Sequence, residues 1–253
     1  MTNPIIEIQN LTIGYGAVTI LENLSFKILP GEIFIILGGS GCGKSTLMNH
    51  MIGLYEPQNG SIFIHGKNLV TADRRERENI LESFGVSFQG GALLGSMTLL
   101  DNVMLPLAEH THLPEKAVRW IARQKLQLVG LEGYDLHMPS ELSGGMQKRA
   151  ALARAIALDP DILFLDEPSA GLDPVTAAHL DELILQLSRL LGVTFVIVTH
   201  ELQSIFSLAG RAIMLDRDSK GIIADGNPND MKNDRSNPAV WRFFNRTTLT
   251  EPV

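Results

Sequence analysis

The nine residues GGSGCGKST, at 38–46, limit what this chain can fold into more than any other stretch. They follow EIFII, a continuously apolar run of the kind that a strand buried on both faces requires. They open a segment, 44–52, with helical spacing that Gly53 is placed to stop. Strand, glycine-rich turn and helix in that order fit G-x-x-x-x-G-K-[ST], with Gly38, Gly43, Lys44 and Ser45 at the fixed positions. Such glycines let backbone N–H groups wrap phosphate oxygens, and Gly39, Ser40, Gly41, Cys42 and Thr46 complete the loop. Lys44 is then placed to span the β- and γ-phosphates, and the Ser45 hydroxyl to ligate Mg²⁺. Cys42 is either a small filler in that loop or a thiol through which a bulky reagent would block it. As the single cysteine it excludes an internal disulfide and fits a reducing compartment.

The surrounding pattern agrees with an α/β chain. IIEIQNLTIGY, ILENLSFKI and EIFII read as short strands separated by Gly14, Gly16 and Pro30-Gly31, so antiparallel pairing leads into a central strand. SIFIHG and GVSFQ read as further strands, with the charged TADRRERENILE as a surface helix between them. From Gly90 the texture becomes helical, in LLDNVMLPLAEH and EKAVRWIARQKLQLVG. After about 157 the alternation returns: strand DILFLD, helix 174–191, strand VTFVIV, helix 201–208, strand AIMLD and hairpin arm GIIADG. Asp173-Pro174 is a cap followed by proline at the first helical position, and Gly192 a stop. The expected organisation is a core from 1–90 and 158–235, a helical subdomain at 91–157, and a short tail at 236–253 holding one helix before it frays.

Two further stretches carry chemistry. DILFLDE, at 161–167, is an apolar strand ending in two carboxylates. Beside a phosphate loop, Asp166 is placed to reach Mg²⁺ and Glu167, one residue on, to polarise an attacking water. ELSGGMQKRA, at 141–150, opens a helix with Ser143 as cap and then spends two glycines, each about 1 kcal/mol worse than alanine in a helix. Gly144 and Gly145 leave bare amides at the positive end of a helix dipole, an anion site that nothing nearby in sequence completes.

GGSGCGKST, DILFLDE and LSGGMQ together resemble the ATP-binding cassette family, over nearly the whole chain. The resemblance implies a P-loop NTPase with a RecA-like core, an N-terminal antiparallel β subdomain and an inserted α-helical subdomain. It also implies that Ser143, Gly144 and Gly145 cap the γ-phosphate of ATP held by Lys44 of a second copy, so that ATP joins a homodimer and hydrolysis weakens it. Tyr15 matches the aromatic that stacks on adenine, and Gln89 the glutamine that contacts Mg²⁺ or the attacking water. Asp173 matches a residue touching the opposite subunit, and His200 the histidine that contacts the γ-phosphate and steadies the water. All the expected catalytic positions are filled, so an active ATPase with two equivalent sites is expected. His110 and His112 form an H-x-H pair with no third ligand suggested, and read as surface residues.

A net charge of −7 argues against nucleic acid as a general partner. No apolar run approaches the roughly 20 residues of a membrane span, and MTNPIIEIQN has no basic region followed by an apolar stretch. About 50 residues between Gln89 and Ser143 are too few for a long coiled-coil excursion, and the chain carries one cassette. What remains is a separate ATPase that docks on a membrane permease, at the cytoplasmic face of the inner membrane. QGGALLGSMTLLDNV, PLAEHTHLP and MPSELSGGM are similar to the ATPase of Mla/Mce-type transporters, which implies lipid cargo, an Mce-domain protein and a small accessory subunit. The end of the chain departs from that pattern, with no long extension after WRFF. Uptake of a small polar solute of amino-acid type, or a regulatory cassette as in cell-division complexes, are the rival readings. Ala92, Leu93, Leu94 and Met97 either pack in the core or line a groove for a permease helix. Trp241, Phe243 and Phe244 either pack the last helix or form a small protein-contact patch.

Overall fold

A computed structural model of the protein describes residues 3–246. The frayed end expected of the tail lies outside them. In chain order the elements are β1 (Ile6–Tyr15), β2 (Val18–Ile28), β3 (Ile33–Gly38), α1 (Lys44–Met51), β4 (Asn59–Ile64), β5 (Lys67–Asn68), α2 (Arg74–Glu82), β6 (Phe84–Ser87), α3 (Leu99–His110) and α4 (Glu115–Leu128). There follow α5 (Gly144–Ala155), β7 (Ile162–Asp166), α6 (Pro174–Leu191), β8 (Thr194–Val198), α7 (Leu202–Leu208), β9 (Arg211–Asp216), β10 (Gly221–Gly226), α8 (Pro228–Asn233) and α9 (Pro238–Asn245). They gather into two compact units, Met1–Ile80 with Val196–Val253 and Leu81–Phe195, with β8 lying across the division.

In the first unit, four antiparallel strands run in the order β2-β1-β4-β5. The buried row on β1 changes parity, from Ile6 and Ile8 to Leu11 and Ile13. The ladder to β2 slips between Ile8 and Leu11, and Asn10 takes a left-handed conformation (φ 47°) there. A bulge of one residue thus keeps both apolar pairs on one face, and asparagine is among the side chains that tolerate that backbone. β3 runs parallel to β9, which pairs antiparallel with β10. Phe34, Ile35, Ile36 and Leu37 of β3 are fully buried. The continuous apolar run is thus the signature of a strand covered on both faces, with each large side chain contributing roughly 1.5–3 kcal/mol. α1 packs on β1 and β3 through Leu47, Met48 and Met51. Helix α8 was not anticipated; Asn227 caps it and Pro228 occupies its first position. α9 seats Phe244 in the core, with its ring 5.7 Å from Phe206 and 5.3 Å from Phe243, as expected of packing residues.

In the second unit β6 and β7 are parallel, and Ile162, Leu163, Phe164 and Leu165 of β7 are buried. Helices α3, α4 and α5 pack on one another, and α5 also touches β6 and α6. The expected punctuation of α6 is present. The Asp173 carboxylate accepts from the amides of Val175 and Thr176 at 3.1 Å, and Gly192 closes the helix at φ 66°. Ahead of α3, Asn102 is fully buried and organises the preceding loop. It accepts from the Leu94 amide (2.8 Å) and donates to the carbonyls of Leu94, Met97 and Thr98. Leu94 and Ala92 are exposed on that loop while Leu93 and Met97 are half-buried, so the segment is not simply core. His110 pairs with Glu82 at 3.0 Å on the surface, and no cluster of metal-ligating side chains occurs among the described residues.

Candidate nucleotide site

In the first unit the loop from Gly38 to Thr46 connects β3 to α1. Its glycines answer to geometry. Gly38 sits at φ 148°, and a Cβ there would lie 2.4 Å from the Leu215 carbonyl oxygen. Gly43, at φ 101°, would meet the Ile20 side chain at 2.8 Å. Any side chain at either position would open the loop. Lys44 is only 9% exposed, and its ammonium donates to the carbonyls of Gly38 (2.9 Å) and Gly39 (3.1 Å). A cation is thereby fixed inside a turn whose amides suit phosphate. Cys42 is buried, and burial raises its thiol's pKa above the ordinary value against the opposing pull of Lys44. It is a packing residue of the loop rather than an exposed nucleophile. Tyr15 is half exposed at the end of β1, with its hydroxyl 3.4 Å from the Thr46 hydroxyl and its ring edge-on to Tyr55 at 5.4 Å. An accessible flat ring bonded to the phosphate loop is suited to stacking on a base. His200 follows β8, exposed, with Nε2 3.8 Å from the Glu201 carboxylate.

The second unit holds the remaining candidates. Asp166 ends β7, and Glu167 follows it, buried and in a left-handed conformation (φ 46°). A non-glycine residue in that region costs on the order of 1–3 kcal/mol and persists only where its surroundings impose it. Gln89 lies just beyond β6, exposed. The Ser143 hydroxyl accepts from the Met146 amide at 3.3 Å, as a helix cap should. The two glycines after it differ. Gly145 is buried, and a Cβ there would lie 2.5 Å from Thr176 Cγ2, so the packing of α5 on α6 demands it. Gly144 is exposed, with only ordinary space around it (Leu172 Cδ2 at 3.6 Å). Asp173 approaches the same place: its second oxygen accepts from the Thr176 hydroxyl at 2.5 Å, and these bonds hold its carboxyl below the usual range. The loop 38–46 is thus bonded to Tyr15, and Gly145 lies against Thr176, whose hydroxyl bonds Asp173.

Two side chains that bond the loops carrying the candidates escaped the sequence reading, Lys148 and Arg154, both on α5. Lys148 Nζ donates to the carbonyl of Gln89 and, at 3.4 Å, to that of Glu167. Arg154 donates to the carbonyls of Gly91 (2.8 Å) and Ala92 (2.7 Å). Sequence places both on one helix but does not show that carbonyls 59, 62 and 63 positions away, those of Gln89, Ala92 and Gly91, are among their partners.

The family described as ABC transporter matches residues 21–170. The chain is 42% identical to the intermembrane phospholipid transport ATP-binding protein MlaF of Haemophilus influenzae, over 89% of this chain and 85% of that protein. It is 39% identical to the protein of that name in Escherichia coli K12, over 95% and 88%. A probable ribonucleotide transport ATP-binding protein, mkl of Mycobacterium leprae, is 42% identical over 95% of this chain and 68% of its own length. Among solved structures, cbiO1 of Clostridium perfringens, part of the ABC transporter complex cbiONQ, superposes with a TM-score of 0.83 over 92% of both chains, at 28% identity. The dimeric bacterial ABC transporter cassette MJ0796 gives 0.79 at 32% identity, over 88% of this chain and 98% of that one. The chain belongs to the ABC transporter family and is an ATP-binding, ATP-hydrolysing member of it.

Proposed function

We propose that the chain is the ATPase subunit of a transporter that moves phospholipid or a related lipid between membranes. It works as a homodimer at the cytoplasmic face of the inner membrane, through a separate permease and with an Mce-domain protein and a small accessory subunit in the complex. The observation that carries the cargo reading is the 42% and 39% identity with two intermembrane phospholipid transport proteins along most of both chains. The homodimer is supported by the dimeric cassette MJ0796 and by Gly144, a helix-opening glycine that packing within the chain does not require. No helix among the described residues is long and apolar enough to cross a membrane.

In this reading the phosphate loop and Lys44 bind the triphosphate of ATP, and Tyr15 stacks on its base. Ser45, Gln89 and Asp166 supply hard oxygen donors of the kind Mg²⁺ prefers, and would hold that ion, whose charge neutralises the phosphates when bound. Glu167 orients the attacking water and takes its proton, and His200 steadies it. Ser143, Gly144 and Gly145 of the second copy close over the γ-phosphate, and Asp173 touches across the dimer. Residues 91–157 act as a helical subdomain against a core of 1–90 and 158–235, with 236–253 as a tail. The loop held by Asn102 presents Leu94, 40% exposed, to a permease helix.

Purification of the complex from its native membrane, followed by mass spectrometry of bound small molecules, tests the cargo. Enriched phospholipid is the expected result, whereas a bound ribonucleotide other than ATP or ADP, or an amino acid, would replace lipid by that solute. Leu94→Asp is expected to leave ATP binding intact and abolish copurification of the permease. An intact complex with that variant would remove Leu94 from the contact.

A further inference from the structure

Helix α5 begins at the Ser143–Gly145 motif, and its role need not end there. One turn further on, Lys148 reaches two loops at once, donating to the carbonyl oxygens of Gln89 and Glu167. Further along the helix, Arg154 holds Gly91 and Ala92. The places these cations grip are places where the backbone is bent. Gly91 and Ala92 are consecutive left-handed residues (φ 72° and 49°), and Glu167 is a third (φ 46°). Alanine and glutamate hold such conformations only where neighbours impose them. Cations from a single helix bond all three of these carbonyls, and the Glu167 carbonyl also accepts from the Ala170 amide at 3.1 Å.

We infer that Lys148 is a positioning residue for ATP hydrolysis: its ammonium ties the Gln89 loop to the Glu167 turn, so that α5, Gln89 and Glu167 are held as one body. This rests on the assignment of Gln89 and Glu167 to the water-activating site. A cation with several donors suits the task because it donates to carbonyls lying in different directions, as an ammonium or a guanidinium can. Burial lowers the pKa of its ammonium below the ordinary lysine value, against the opposing pull of Asp166 and Glu167. The device gives Ser143–Gly145 a mechanical link to Gln89 and Glu167, because any shift of α5 is transmitted through Nζ to both loops. A nucleotide bound at the start of α5 thereby aligns Gln89 and Glu167 in the same movement.

The test compares wild type, Lys148→Met, Lys148→Arg and Glu167→Gln in the permease complex, measuring kcat, KM for ATP and backbone hydrogen exchange of residues 88–93. Methionine keeps the unbranched shape of the side chain up to the ammonium and removes the donors and the charge. Lys148→Met is expected to lower kcat at least about tenfold, in line with what a small misplacement of reacting groups costs. KM should stay within about twofold, since the phosphate loop is untouched. Exchange at 88–93 should rise, and Lys148→Arg should restore both kcat and protection. A Lys148→Met enzyme with wild-type kcat, or a Lys148→Arg enzyme as slow as Lys148→Met, overturns the inference. So does a loss confined to KM. Wild-type turnover by Glu167→Gln would instead overturn the assignment of the site itself, so the two failures are told apart by separate variants.

Discussion

Two glycine-rich helix openings in this chain look alike in sequence and differ in what holds them. At the start of α1, Gly38 and Gly43 are fixed by positive φ angles and by neighbours that leave no room for a Cβ, and Lys44 is bound by carbonyls of its own loop. That turn is complete within one chain. At the start of α5, Gly145 is likewise fixed by Thr176, but Gly144 is exposed and has room for a side chain. Its weak helix propensity is unexplained by the chain's own packing. A residue that folding does not need is best accounted for by something that arrives from outside, and a phosphate against its amide is the reading proposed above.

The contrast can be broken most sharply with Gly144→Asp. A carboxylate in the first turn favours the helix by about 0.3–1 kcal/mol through the dipole, while facing any incoming phosphate with like charge. The variant is expected to melt at or above the wild-type temperature yet lose ATP-dependent dimerisation and nearly all turnover. A variant as active as wild type would leave Gly144 without a role. Gly145→Ala should behave in the opposite way, since its methyl group must displace Thr176 and with it the bond to Asp173. Overpacking of this kind costs about 1–3 kcal/mol, so thermal stability should fall before any nucleotide is added. The smallest effect belongs to Asp173. Its carboxyl is held below the ordinary range by bonds from Thr176 and Val175, so its contribution to the α6 cap is present above the usual carboxylate pKa. That contribution is lost as pH falls through the depressed value. Asp173→Ala should lower the melting temperature slightly at neutral pH, and the difference from wild type should vanish in acid.

Much of this arrangement was legible in the sequence. The phosphate loop could be read because strand, glycines and helix are contiguous, and the cap and stop of α6 because Asp173-Pro174 and Gly192 act locally. Long-range pairings were not legible. Nothing in the spacing of ELSGGMQKRA assigns Lys148 to the carbonyls of Gln89 and Glu167, since carbonyls carry no sequence signal. Nor could residue types separate Gly144 from Gly145; the distance to Thr176 does that. The parity change along β1 was equally hidden, because a one-residue bulge at Asn10 appears in sequence only as an interrupted alternation.

The central claim is that Lys44 and Gly144 serve one ATP from different polypeptides, and mixing two inactive variants tests it directly. A heterodimer of Lys44→Ala with Gly144→Asp contains, on this account, one site with both defects and one with neither, so ATP hydrolysis should reappear on mixing. If both residues act within a single chain, every site in the mixture stays defective and no activity returns.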